Sequence, residues 1–223
     1  MMRRRVASCF GGAAAAVLAV MASAGDARAD DVELTTSDGS YGRVEGDLLF
    51  VGELAAGLGL GGFQLETHVS LLYLSTAGGY VRYVEAFDNA SAPYARGFAV
   101  GLELRPLFLG RYALDLEKGP PHADLLLDSL TLVLGATWLA PQAGPLEPEP
   151  GIELGLGLEL PFLPRASGPH VGVTALACWG ADDISGAREL DFLERGAMLL
   201  FALSWHQVFD ANLVDFRDPP PSR

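Results

Sequence analysis

The segment Gly42–Tyr73, GRVEGDLLFVGELAAGLGLGGFQLETHVSLLY, repeats one pattern twice across a glycine pair. Counting by twos, Val44, Leu48, Phe50, Leu54, Ala56, Leu58 and Leu60 fall on one side, and Arg43, Glu45, Asp47 and Glu53 on the other. Beyond Gly61-Gly62 the parity restarts, with Phe63, Leu65, Thr67, Val69, Leu71 and Tyr73 opposed by Gln64, Glu66, His68 and Ser70. A period of two is that of extended strands, whose successive side chains point to opposite faces, and two glycines between such runs mark a hairpin. The segment predicts two antiparallel strands, each with an apolar and a polar face.

The same period recurs downstream. Thr76-Ala77-Gly78-Gly79 reads as a tight turn, Tyr80–Val84 as a short third strand, and Phe87–Pro93 as a loop. A fourth strand over Arg96–Phe108 sets Phe98, Val100, Leu102, Leu104 and Phe108 against Gly97, Ala99, Gly101, Glu103 and Arg105. The segment Asp124–Trp138 is apolar on both faces in places; a helix competes there, and the β-branched residues of LTLVLGATW favour a fifth strand. After the proline-rich loop Ala140–Pro150, GIELGLGLELPF (151–162) alternates most cleanly, with Glu153 and Glu159 among glycines. A seventh strand follows over His170–Trp179, then an acidic loop over 181–195 and a last strand over Gly196–Phe209. The predicted organisation is an export signal over 1–29, a flexible lead over 30–40, an eight-stranded unit over 41–209 and a disordered tail over 210–223.

The amino terminus carries Arg3-Arg4-Arg5, an apolar run to about Ala24 and Ala27-Arg28-Ala29, the three parts of a secretory signal peptide cleaved after Ala29. That segment holds four arginines and one aspartate, so its removal takes the formal charge from −13 to −16. Nucleic acid is excluded as a partner, because phosphate binding needs clustered cations and Lys118 is the only lysine. Cys9 leaves with the signal, and Cys178, set in VTALACWG, is expected to be a buried thiol without a disulfide.

Where the apolar faces go decides the architecture. A soluble sandwich also alternates, but its second face would meet water. Here that face is mostly glycine and alanine with one or two charges, a composition suited to a narrow barrel interior. The strands approach the roughly nine to eleven residues that span a bilayer when tilted. Tyr41, Tyr73, Tyr80, Phe108, Trp138, Phe162, Trp179 and Phe209 fall near strand ends, where interfacial girdles would sit. The expected fold is all-β: an antiparallel up-and-down transmembrane barrel of about eight strands.

In this pattern Tyr41–Phe209 resembles the small outer-membrane β-barrel proteins of Gram-negative bacteria, the eight-stranded class that includes the OmpA transmembrane domain and OmpX. AMLLFALSWHQVF (197–209) is similar to the aromatic-ended final strand that the barrel assembly machinery reads in that class, although here a tail follows Phe209. The resemblance implies outer-membrane lipid and that machinery as partners, a structural, adhesive or surface-interaction role, and acidic loops as the place for a surface ligand.

Strand parity directs Arg43, Glu45, Asp47, Glu53, Gln64, Glu66, His68, Glu103, Arg105, Glu153, Glu159 and His170 inward. The expectation for this set is a hydrogen-bonded lumen plug in which Arg43 and Arg105 pair with neighbouring glutamates and some acids hold protons. A cation-favouring pathway is the competing reading, opposed by the ability of side chains to fill eight strands. Glu66-x-His68-x-Ser70 aligns an acid, a base and a hydroxyl as in barrel lipid hydrolases, but on the lumen face and without identifiable oxyanion donors. His122 and His206 have no metal-ligand spacing, GLGLGG lacks the helix and lysine of a phosphate loop, and no cofactor is expected. A soluble exported barrel holding an apolar ligand in a leucine-lined interior is the remaining alternative.

Overall fold

A computed structural model describes residues 41–43, 46–59, 62–88, 96–116, 118–140, 149–186 and 197–211. The proposed signal and lead, Glu45 and most of the tail lie outside these residues. Eight strands form one sheet: β1 (Leu48–Gly59), β2 (Gly62–Tyr73), β3 (Ala77–Asp88), β4 (Arg96–Leu104), β5 (Thr131–Ala140), β6 (Glu149–Pro161), β7 (Gly168–Gly180) and β8 (Met198–Phe209). Each pairs antiparallel with its sequence neighbours, and β1 pairs with β8 from Leu48↔Phe209 to Gly59↔Met198, closing the barrel. Closure leaves no strand edge unpaired.

Parity then becomes inside and outside. Leu58, Leu65, Leu102, Leu134, Leu156, Val173 and Phe201 stand exposed on the outer surface, while Glu53, Glu66, His68, Glu103, Glu153 and Glu159 are buried within. The interior also holds two small apolar clusters, Leu49–Val51–Leu72 and a second that includes Ala55, Ala99, Val133, Leu176 and Leu200. Cys178 is a buried free thiol.

Three sequence expectations are corrected. The turn after β2 is Leu74–Thr76, so β3 is twelve residues long and takes in Gly78 and Gly79. Leu74 and Ser75 adopt φ of 48° and 54°, with Thr76 N–H donating to Tyr73 O at 3.0 Å. Left-handed backbone costs a residue with a Cβ roughly 1–2 kcal/mol. Here it is held by Leu74 N–H donating to Asp47 O at 2.8 Å and Arg105 N–H donating to Thr76 O at 2.6 Å. A β-carbon on Gly78 would strike the Leu71 carbonyl, so this glycine serves close strand approach and not the turn.

The other two corrections concern helices. β4 ends at Leu104, and Phe108 is buried in helix α1 (Pro106–Ala113); the first part of the expected fifth strand is helix α2 (Pro121–Asp128). Pro106 and Pro121 begin these helices, where a missing N–H costs nothing. The buried residues of α2 are Asp124, Leu125 and Asp128, the spacing of one helical face and not of a strand. A single turn, α3 (Ala181–Ile184), follows β7.

Helices α1 and α2 sit at the barrel end where β1 begins and β8 ends, and bring charge with them. Arg111 pairs with Asp124 and, at 2.8 Å, with Asp128; Arg43 Nη1 reaches the other oxygen of Asp128 at 2.6 Å. The Arg43 guanidinium lies 4.5 Å from the Phe108 ring centre. Tyr41 O–H and Gly119 N–H each donate to Asp124 Oδ2 at 2.9 Å. This lid is therefore cross-linked by ions to the chain entering β1.

Burial works to raise the Asp124 pKa, but the Arg111 guanidinium, the Tyr41 hydroxyl and the Gly119 amide outweigh it and hold the carboxyl below the usual aspartate range. A carboxyl depressed in the folded state contributes stability above its unfolded pKa of about 3.9 and loses it as pH falls through the folded value. Asp124→Asn should lower stability by about 1–3 kcal/mol at neutral pH. Denaturant titrations should show that difference shrinking below about pH 4; a difference constant over the range would show that this ion pair does not hold the lid.

Candidate functional site

The lumen is the candidate site, and it is built around two arginines. Arg82 on β3 sits opposite His68 of β2 and is almost wholly buried. Its Nη1 lies 3.1 Å from Glu153 Oε1 on β6, across the barrel, and its Nε lies 3.2 Å from Glu66 Oε1. The second contact is an ion pair without hydrogen-bond geometry, since that Glu66 oxygen and Arg82 Nε both lack a hydrogen-bond partner. Tyr80 O–H donates to Glu153 Oε1 at 2.5 Å, and Cys178 Sγ is 3.8 Å from the other oxygen of Glu153. The phenol can cross the lumen because residue 135 is glycine: a β-carbon there would collide with the Tyr80 oxygen.

Arg105, just past β4, holds the second group. It donates to Glu103 Oε1 through Nε and Nη2 at 3.2 and 3.1 Å, and Nη2 also reaches Glu159 Oε2 at 3.0 Å. Glu159 accepts from Ser204 Oγ and lies 3.1 Å from His206 Nε2. His206 stacks on His170 with ring centres 3.8 Å apart, and His170 Nδ1 stands 3.1 Å from the Gly168 carbonyl, which makes it the protonated nitrogen. His68 joins the two groups: its Nε2 is 3.2 Å from Glu103 Oε2, and its ring meets Tyr80 edge-on at 5.3 Å. Ser129 ties the lid to this network, its Oγ accepting from Glu159 N–H at 2.8 Å.

Of the residues that parity directs inward, Glu53, Gln64, Glu66, His68, Glu103, Arg105, Glu153, Glu159 and His170 are buried inside the barrel. Arg43 and Asp47 are buried instead at the lid end, Arg43 on Asp128 and Asp47 accepting from Ala211 N–H at 2.7 Å. Glu45 lies outside the described residues. Sequence reasoning missed Arg82, Tyr80, Ser204 and His206. Around Arg82 both parities are mixed, since Val81, Tyr83, Glu85 and Phe87 oppose Tyr80, Arg82, Val84 and Ala86. The usable signal was charge: parity sends six glutamates and Asp47 inward, more than Arg43 and Arg105 can balance.

The site contains serine, histidine and glutamate, yet not as a nucleophilic relay. Ser204 donates to Glu159 directly, and His206 turns the same nitrogen, Nε2, to Ser204 Oγ at 3.4 Å and to Glu159 Oε1 at 3.2 Å, whereas a relay meets hydroxyl and acid with opposite ring nitrogens. Glu66, His68 and Ser70 are likewise all buried in the lumen. Below the network a cavity of about 30 Å³, lined by Arg105, Phe108, Asp128, His170 and His206 among others, has room for water and little more. The arrangement holds its charges and hydrogen bonds between fixed partners.

No protein-family model matches the chain, and no curated protein matches it. Among solved structures it is similar to the N-terminal β-barrel domain of Pseudomonas aeruginosa OprF. The two share 9% identity over 73% of this chain and 98% of that one, with a TM-score of 0.42.

Proposed function

We propose that this chain is an exported integral outer-membrane β-barrel whose lumen is closed, and whose role is structural or one of surface interaction. The observation that carries the reading is the outer surface. Leu58, Leu102 and Phe201 are 68, 61 and 63% exposed, and similar leucines and valines stand on all eight strands. Among outward residues of the described strands whose side chains are placed, Glu85 is the one carboxylate, hydrogen-bonded to Tyr83 at 2.8 Å. Soluble monomers rarely expose contiguous apolar patches above a few hundred Å², whereas a barrel in hydrocarbon needs such a band.

Aromatics support the same reading. Phe63 and Phe87, with ring centres 6.5 Å apart, and Phe98 and Trp138, 6.0 Å apart, ring the end opposite the lid. Tyr73, Phe162 and Phe209 stand exposed at the lid end. Three aromatics expected in the girdles are elsewhere: Tyr80 is in the lumen, Phe108 is under the lid, and Tyr41 hydrogen-bonds to Asp124. The alternative with a leucine-lined ligand cavity is opposed by an interior of paired glutamates and arginines. In sequence, the segment 181–197 between β7 and β8 holds five carboxylates against Arg188 and Arg195, and this acidity supports a cationic ligand for that connection.

Fractionation of expressing cells tests the location: recovery in the outer membrane after a carbonate wash, with a boiling-dependent gel shift, is expected. Recovery in the soluble periplasmic fraction would sink the reading. Leu134→Arg, at mid-height on the outer surface, should cost about 2–4 kcal/mol of stability in vesicles, and Leu160→Arg near the lid end about 0–1 kcal/mol. Equal and small costs would point to water outside the barrel. Arg82→Met strands two buried glutamates and should cost about 3–5 kcal/mol in urea titrations, part of it recovered when Glu66→Gln is added.

A further inference from the structure

Glu53 has no role in either ion-pair group. It is 5% exposed, it faces the lumen from β1, and its Oε1 has no hydrogen-bond partner. The register explains what surrounds it: Glu53 is the cross-strand partner of His68, and Glu66 precedes His68 by two residues on the same face of β2. One ligand atom from each of Glu53, Glu66 and His68 lies within 4.8 Å of the other two. Both Glu66 oxygens also lack hydrogen-bond partners, Oε1 meeting Arg82 Nε only as an ion pair, and His68 Nε2 likewise meets Glu103 Oε2 at 3.2 Å without hydrogen-bond geometry. A buried carboxylate left in this state is costly, and the usual remedies are a bound cation or a proton.

Charge argues for the cation. Among the described residues the lumen holds five buried glutamates, 53, 66, 103, 153 and 159, against the guanidiniums of Arg82 and Arg105. Arg82 retains Glu153, and Arg105 retains Glu103 and Glu159, when Glu66 turns toward Glu53. We infer that Glu53, Glu66 and His68 form a site for one divalent transition-metal ion of the Zn²⁺ type. Two carboxylates neutralise such an ion, and an imidazole selects it over the hard ions Mg²⁺ and Ca²⁺. Bonds of about 2.0–2.2 Å place tetrahedral ligands about 3.3 Å apart, so rotation of the two flexible glutamate side chains completes the set. The fourth position is left for water or Ser70, the next inward residue on β2.

The site is buried, so loading is tested during folding. The full chain is refolded from urea into detergent with Zn²⁺ or with a chelator, passed through gel filtration, and assayed for metal. About one Zn²⁺ per folded chain is expected, falling at least about tenfold in Glu53→Gln and in His68→Asn, and unchanged in Asp115→Asn on the surface. The boiling-dependent gel shift selects the folded fraction of each variant. Should neither lumen variant fold, the wild type decides alone: Zn²⁺ should shift the ring ¹⁵N resonances of His68 and leave those of His122, His170 and His206 in place. A refolded wild type without stoichiometric Zn²⁺ would show that Glu53 and Glu66 share a proton instead and would overturn the site. Uptake that survives both lumen substitutions, or ¹⁵N shifts confined to the other histidines, would overturn it equally.

Discussion

The pairing of β1 with β8 is the contact on which everything else rests, because it turns an alternating sheet into a surface with an inside and an outside. An open sheet of the same strands would have two edges of unpaired amides and carbonyls. Once the ladder closes, every second residue is sealed within a space too narrow for bulk water, and its neighbours face outward together. The apolar band and the charged lumen are thus one fact seen from two sides. In the proposed membrane setting each supports the other, since leucines in such number avoid water and glutamates avoid hydrocarbon.

Sealing makes the interior a problem of charge. Each carboxylate taken from water must find a cation, a donor or a proton, and the cost of failing exceeds that of most packing defects. Arg82 answers for Glu66 and Glu153 by lying across the barrel, and Arg105 answers for Glu103 and Glu159 from the rim. Small residues make these reaches feasible. Gly135 clears the path of Tyr80, and Ala99, paired with Arg82 across β3 and β4, keeps the space beside the guanidinium open. Glycine and alanine on the inner face are therefore part of the electrostatic design, since they let a few long side chains meet.

The lid extends the same logic to one end. Arg43, Arg111, Asp124 and Asp128 alternate in sign and close over Phe108, so the helices attach through ions while a single aromatic ring fills the mouth. Ser129 carries the connection inward to Glu159, which also holds Arg105 and His206. Lid and lumen are in this way one hydrogen-bonded body. At the lid end this filling leaves a cavity with room for water and little more.

Much of this was legible in the residue order, because a strand's side-chain period of two survives in sequence whatever the strand pairs with. The hairpin Gly42–Tyr73, the alternation of 151–162 and the inward parity of Glu53, Glu66, Glu103, Glu153 and Glu159 were all readable from local pattern. Where the period was ambiguous the reading failed: Leu125-Leu126-Leu127 fits helix and strand alike, and Asp124 and Asp128 reveal a helical face once their shared partner Arg111 is known. Turn geometry at Leu74-Ser75 escaped for a related reason, since its left-handed backbone is held by Asp47 and Arg105 from other segments. The sequence by itself determined the two faces of the regularly alternating strands, because a period of two is a local property of the chain. Which inward residues meet was decided only by the tertiary structure, because register and closure bring β3 opposite β6 and Glu53 beside His68, and neither distance is written in the spacing along the chain.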